Sequence, residues 1–249
     1  MLSANISRTL RSAAAVLALA ALGACAAQPG GLARTGARVG LARVALQSGN
    51  PSAALRLADK ALARHPGDPA ALLLRGEALS RLGQPGPARA AFAQVLGERP
   101  DSVPALVGLG RLRLVDAPDR AAVLFRHALA EAPGNTAALT DLGVALDLQG
   151  DHAAAQASYR LALAANPTLV PARVNLALSL AESGQGPAAV AMMAPMAGNA
   201  AAGPKLREDY AAILTMAGQS NRARAVLAGV MPPAEAAAAL AAYAAGPGR

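Results

Sequence analysis

Small residues recur along this chain at intervals of thirty-odd positions, and that recurrence limits the fold more than any other feature. One period is complete between Asn135 and Gln185: Ala138-Leu139, Leu142-Gly143 and Leu146, then Gly150, then Ala155, Tyr159 and Ala162, then Pro167, after which the pattern restarts at Ala172. Apolar or tiny residues at 139, 142, 143 and 146 fall at i, i+3, i+4 and i+7, one face of a helix. Gly143 and Ala155 are small where two antiparallel helices cross, which lets the backbones approach. Gly150 supplies the positive-φ residue that ends the first helix, and Pro167 stops the second. A hairpin of this kind leaves an apolar stripe bare on each side, so it needs neighbours.

The neighbours are present in the same sequence. The small residue of the first helix is Ala42, Gly76, Gly110, Gly143, Ala177 and Ala211, and the one that opens the second helix is Ala54, Ala88, Ala122 (or Ala121), Ala155, Ala189 and Ala223. Turn glycines stand at Gly49, Gly83, Gly150, Gly184 and Gly218, and terminating prolines at Pro66, Pro100, Pro133 and Pro167. Asp68, Asp101 or Ser102, Asn135 or Thr136, and Thr168 sit where each new first helix begins, as N-caps. With its period of 34, the pattern resembles the tetratricopeptide-repeat family over residues 35–232. The resemblance implies an all-α fold, a right-handed α-solenoid of about six helix-turn-helix units. The family's large residue on the second helix is matched by Phe92, Phe125 and Tyr159 and weakened to Ala58, Met193 and Leu227, while its Trp and Tyr on the first helix are absent. Unit three departs further, with Asp116 or Ala117 in place of the turn glycine, and a tighter turn is expected around Val115-Asp116-Ala117-Pro118. Between units five and six, Pro195 to Pro204 predicts a looser connection. Residues 233–249 read as a capping helix and tail, with Leu240 and Tyr243 on the covered side of Ala234 to Ala245.

Composition fits close helix packing: alanine dominates, aromatic residues are 2%, there is no Trp, and period-two alternation is nearly absent. The formal charge of +8 comes almost entirely from scattered arginines without interleaved aromatic residues, which excludes nucleic acid as a partner. Arg, Ala, Gly and Pro are enriched together, the mark of GC-rich coding.

The N-terminus carries its own pattern. Arg8 and Arg11 form a positive n-region, Ser12 to Leu22 an apolar h-region, and Leu22-Gly23-Ala24-Cys25 follows at once. The h-region is too short to cross a bilayer as a mature helix, which needs about 20 apolar residues. The tetrapeptide resembles a bacterial lipobox, which implies a signal peptide at 1–24 and lipidation of Cys25. An ordinary export signal cut near Ala24 to Ala27 is the alternative. Ala26 in place of Asp after the cysteine implies the outer membrane, periplasmic face. Residues 25–34, with Gln28-Pro29-Gly30-Gly31, are expected to be a flexible tether.

No catalytic constellation is visible. His65 precedes a proline, His127 lies on a second helix and His152 in a turn, so no two histidines share metal-ligand spacing, and no metal or cofactor is expected. There is no phosphate loop, nucleophile elbow or Cys/His pair, so the chain reads as a non-enzyme without a small-molecule substrate. Asp147 and Glu182 come from equivalent ends of neighbouring first helices; lacking a pocket or a third group, they are expected to form a solvated rim. Function then rests on a surface. In arrays of this family the first helices line a groove for an extended peptide or a partner helix. Projected groove positions are Val39, Arg43, Leu73, Glu77, Val107, Arg111, Thr140, Val144, Asp147, Val174 and Leu178, mostly apolar with charges of both signs. The Lys/Arg and Asn set of the family's carboxylate clamp is missing.

The C-terminal units allow a narrower comparison. Ala172-Arg173-Val174-Asn175-Leu176-Ala177-Leu178-Ser179-Leu180-Ala181-Glu182-Ser183-Gly184-Gln185, a spacer, then Leu206 to Leu214 and Ala217-Gly218-Gln219 resemble the TadD lipoprotein family of Flp (tight adherence) pilus assembly. Asp209-Tyr210 stands where that pattern has Asn-Leu. The resemblance implies a pilotin-like, lipid-anchored adaptor whose partner is the pilus secretin or another assembly component. A periplasmic scaffold for polysaccharide export or outer-membrane protein assembly is the alternative reading.

Overall fold

A computed structural model describes residues 29–199 and 201–245, with side chains from residue 36 onward. The stretch expected to be a signal peptide, Cys25 and the start of the expected tether lie outside the described residues. Thirteen helices and no strand are present among the described residues: α1 (Pro29–Gln47), α2 (Pro51–Leu62), α3 (Pro69–Arg81), α4 (Pro85–Glu98), α5 (Val103–Arg111), α6 (Pro118–Glu131), α7 (Thr136–Asp147), α8 (His152–Ala165), α9 (Val170–Glu182), α10 (Gly186–Ala197), α11 (Pro204–Met216), α12 (Ser220–Ala228) and α13 (Pro233–Ala245). The first twelve pair into six hairpins, and the thirteenth packs on α11 and α12 as the expected cap. None of these helices is long and apolar enough to cross a membrane. Helix α1 begins inside the stretch expected to be a tether, at Pro29. Proline suits the first helical position, and Gly30-Gly31 fall in the first turn where Leu32-Ala33-Arg34 carry the helix on.

The turn glycines do what their spacing predicts. Gly49, Gly83, Gly150, Gly184 and Gly218 have φ between 70 and 82°, the left-handed region. Each lets the next residue's N–H reach back five positions to close the helix end, as from Asp151 to the Leu146 carbonyl at 3.0 Å and from Gln185 to that of Leu180 at 2.7 Å. Unit three has no such glycine and no positive-φ residue replaces it. Its turn starts earlier than expected: α5 ends at Arg111, and the chain descends through i→i−3 bonds from Arg113 to Gly110 and Leu114 to Arg111 until Pro118 opens α6. Asp68 and Asn135 cap their helices through side-chain oxygens, whereas Ser102 occupies its cap position without such a bond. Thr168 is not a cap. Leu169 takes that place, and Thr168 donates instead to Asn166 Oδ1 at 2.8 Å. Asn50 and Asp151 cap the second helices α2 and α8, each one residue after a turn glycine.

Packing within a hairpin follows one rule. A Cβ added at Gly76 would lie 2.7 Å from the Phe92 ring, at Gly110 2.5 Å from Phe125, and at Gly143 2.3 Å from Tyr159. The glycines are therefore notches for rings, a stronger demand than backbone approach alone. Where the first helix has alanine (Ala42, Ala177, Ala211), the second carries Ala58, Met193 or Leu227, and all six are buried. Ala155 is fully buried as expected at its crossing. Phe92 also fills the space over Gly108 of the next unit, where a Cβ would meet it at 2.5 Å. The ring thus ties units two and three together. From Leu106 to Leu240 most of the buried side chains form one continuous core, with Phe125, Tyr159, Met193, Ile213 and Leu227 among the largest, and Leu139, Ala162 and Ala172 form a small separate cluster. The connection between units five and six runs from Gly198 to Gly203, and α10 carries Pro195 inside its last turn.

Candidate protein-binding interface

Each first helix touches the first helix of the next unit, from α1 on α3 through to α9 on α11, while no two successive second helices are in contact among the described residues. The closer row is the inner one, so the first helices line the concave side. Three hollows open along that side and at its C-terminal end.

The first hollow, about 290 Å³, is lined by Leu73, Glu77, Val107 and Arg111 from the projected set, together with Phe92, Gly108 and Asn135. Its charges are already engaged with neighbours. Glu77 accepts from Arg81 at 2.6 Å, and Arg111 Nε donates to Asp141 Oδ2 at 2.6 Å across α5 and α7. Arg111 remains half-exposed, and Asp141 is largely covered. Burial raises the Asp141 carboxyl above its ordinary value against the opposing pull of Arg111. The second hollow, about 370 Å³, collects Val144, Asp147 and Leu178 with Leu148, Tyr159, Asn175 and Glu182. Val39, Arg43, Thr140 and Val174 line none of the three. Thr140 and Val174 are buried, as is Val107, and the Thr140 hydroxyl donates back to the Thr136 carbonyl at 2.7 Å.

The third hollow corrects the rim expected at Asp147 and Glu182. A pocket and a third group are both present. About 680 Å³ opens between the ends of α7 and α9, Thr215 and Met216 of α11, and Tyr243 of α13. His152, the first residue of α8 and not a turn residue, places Nδ1 2.9 Å from Asp147 Oδ1 and 4.0 Å from Glu182 Oε2. Asp147 also accepts from Ser179 Oγ at 2.7 Å through Oδ1 and from the Tyr159 hydroxyl at 2.9 Å through Oδ2. Burial first, then the Asp147 charge, push the Tyr159 phenol far above its usual range, so it stays a hydrogen-bond donor. Burial and the facing Asp147 likewise raise the Glu182 carboxyl, while the His152 imidazole opposes the shift.

Sequence reasoning missed one position of the stripe. Two residues before the small residue of the first helix stand Asp141, Asn175 and Asp209 in three successive units. Asp141 takes Arg111, Asn175 lines the second hollow, and Asp209 accepts from Lys205 at 2.6 Å. A polar residue recurring on an otherwise apolar helix face was the available signal. The neighbouring Tyr210 is buried and its hydroxyl meets Arg222 at 3.1 Å, which gives the Asp209-Tyr210 departure a packing role.

Two family profiles, both described as tetratricopeptide repeat, match residues 45–111 and 115–169. Residues 45–111 and 115–169 are tetratricopeptide repeats, and the helices before and after them continue the same α-solenoid. Among solved structures, the thermophilic repeat protein TTC0263 of Thermus thermophilus is 24% identical with a TM-score of 0.64, covering 72% of this chain and 98% of its own. PilW, a widely conserved type IV pilus biogenesis factor, is 23% identical with a TM-score of 0.70, covering 78% and 92%. PilF of Pseudomonas aeruginosa is 16% identical with a TM-score of 0.69, covering 86% and 99%. At these identities the likeness carries the fold. A search of curated proteins finds no significant match. Arrays of this repeat typically bind protein partners and serve as non-catalytic scaffolds.

Proposed function

We propose that this tetratricopeptide-repeat protein is a lipid-anchored adaptor of pilus assembly, of the Flp/Tad kind, held to the periplasmic face of the outer membrane through Cys25. Its concave face takes an extended or helical segment of an assembly partner, the secretin being the first candidate. The observation that carries the reading is the run of hollows formed by successive first helices, from Leu73–Arg111 to Val144–Leu178, apolar with fixed charges at intervals. An extended segment laid along such a row meets apolar contact at each unit and a polar check between units. The lipobox at Leu22 to Cys25 supplies the anchor, and several acyl chains together hold a protein firmly where one alone holds marginally. The pilus context is supported by the resemblance of the C-terminal units to TadD lipoproteins and by the likeness in fold to the type IV pilus biogenesis factor PilW.

Blue-native electrophoresis of the secretin in a deletion strain tests the reading. Secretin multimers depleted from the outer membrane, restored by the wild-type gene and not by Cys25→Ser, are expected. Unchanged multimers in the deletion strain would overturn the pilus assignment.

A further inference from the structure

The corner where α7, α8 and α9 meet holds more than an adaptor face requires. Asp147 Oδ1, His152 Nδ1 and a Glu182 carboxylate oxygen lie within 4.8 Å of one another, and each comes from a different helix. In a tetrahedral site with ligand bonds of about 2.0–2.1 Å, donors stand roughly 3.4 Å apart. The observed separations from His152 Nδ1, 2.9 Å to Asp147 and 4.0 Å to Glu182, bracket that value. Small side-chain adjustments would bring all three onto one ion.

Three further observations separate this corner from a chance meeting of charges. The Asp147 carboxylate is oriented by two neutral hydroxyl donors, Ser179 and Tyr159, the arrangement of partners that typically stands behind a metal ligand. No lysine or arginine lines the adjoining hollows, so the two carboxylates have a single imidazole between them. The corner opens onto the 680 Å³ hollow, which leaves room for further coordination positions. The chain also contains its own comparison. Asp101, His127 and Glu131 meet the same distance criterion, but Asp101 and His127 are 64% and 41% exposed and no hydroxyl donates to that Asp101. Two of those three sit one turn apart on α6, a spacing that arises on any polar helix face.

We infer that Asp147, His152 and Glu182 form a binding site for a first-row transition-metal dication, Zn²⁺ in class. The mixture of one imidazole and two carboxylates suits such an ion better than Ca²⁺, which takes oxygen ligands alone. Bound there, the ion clamps the ends of units four and five beside the capping helix.

The test uses the untagged full chain in detergent, titrated with Co²⁺ and then Zn²⁺, with visible absorption and calorimetry as readouts. One Co²⁺ per chain, with a ligand-field band that Zn²⁺ displaces, is expected. His152→Ala should abolish the band or weaken binding at least about tenfold, and Glu182→Gln, at a helix end where folding is not at stake, should weaken it comparably. His127→Ala should leave binding unchanged. Absence of stoichiometric uptake by the folded wild-type chain would overturn the site, as would uptake that survives both His152→Ala and Glu182→Gln or is lost in His127→Ala.

Discussion

Gly143→Ala is the sharpest probe of how this array is packed. The added Cβ would stand 2.3, 2.6 and 2.7 Å from Cε1, Cζ and Cδ1 of Tyr159, closer than real Cβ contacts come. The ring has no free direction: it is 1% exposed, and its hydroxyl is tied to Asp147 at 2.9 Å. Overpacking of this kind costs about 1–3 kcal/mol, and the fixed ring puts the cost near about 3. Helix propensity returns roughly 1 kcal/mol for Gly→Ala. The net loss is about 2 kcal/mol, a fall in Tm of about 4–8 °C for a chain of this size. Gly40→Ala is the control, since Gly40 lies within α1 with nothing near its absent Cβ. The same substitution there should raise Tm by about 2–4 °C. The pairing logic is tested by adding Tyr159→Leu, which recreates the Ala211/Leu227 pair of unit six in unit four. In thermal and urea melts followed by circular dichroism, the double variant should be more stable than the sum of the single changes by at least about 1 kcal/mol. Additivity within about 0.5 kcal/mol, or a Gly143→Ala melt at or above the wild type, would refute the ring-and-notch account.

The remaining predictions concern a charge, a turn and the anchor. Because burial holds the Asp141 carboxyl above its ordinary value, its ionisation is less favourable folded than unfolded; the penalty is absent in acid, sets in as pH rises past the ordinary carboxylate value and is complete above the raised one. Asp141→Asn should therefore raise Tm at neutral pH, with the gain vanishing on acidification; a gain that persists in acid would show that charge is not its cause. Gly150→Ala forces an L residue to φ 79° and should cost about 1–2 kcal/mol in a urea melt, whereas Gly134→Ala, in open space without positive φ, should be close to neutral. Cys25→Ser should move the protein from the outer-membrane fraction to the soluble envelope fraction, read by fractionation and by loss of labelled fatty acid. Retention in the membrane would leave the lipobox reading without support.

The hairpins were legible because each is set by local chemistry that repeats: a left-handed glycine, a stopping proline, and a stripe with helical period. Unit three was only half legible. The missing glycine announced a different turn, but where α5 would end depended on how the segment from Leu112 to Asp116 packs, which no local rule gives. Thr168 failed as a cap because α9 starts one residue later than the spacing implied, at Val170 with Pro171 in its first turn, which puts Leu169 at the cap position. The spacing brings Leu73, Glu77, Val107 and Arg111 into one hollow, whereas Thr140 and Val174, at the same offset as Leu73 and Val107, line none of the three. Of the Asp147, His152, Glu182 corner, the repeat register paired the two acids, but that His152 joins them was hidden for a plainer reason. Its members come from three helices, and their separations in sequence match no ligand motif.

Tyr159 shows how that corner relates to the fold. Phe92 and Phe125 fill the notches of units two and three with rings alone, so packing does not require a hydroxyl at this position. Nor does it require an acid at Asp147, since the matching places in units two, three and five are Ser80, Leu114 and Ala181. The polar group is not free of cost: burial and the neighbouring charge hold the Glu182 carboxyl above its ordinary value, a sign that ionisation is opposed there. A chain optimised for stability alone would repeat phenylalanine and drop the carboxylates. Unit four instead uses the ring to fill the core and its hydroxyl to fix Asp147 at the lip of the groove. The core contact and the orientation of the polar corner are thereby set by a single side chain. Local rules are broken here at the expense of stability, which is the mark of a surface kept for what it binds.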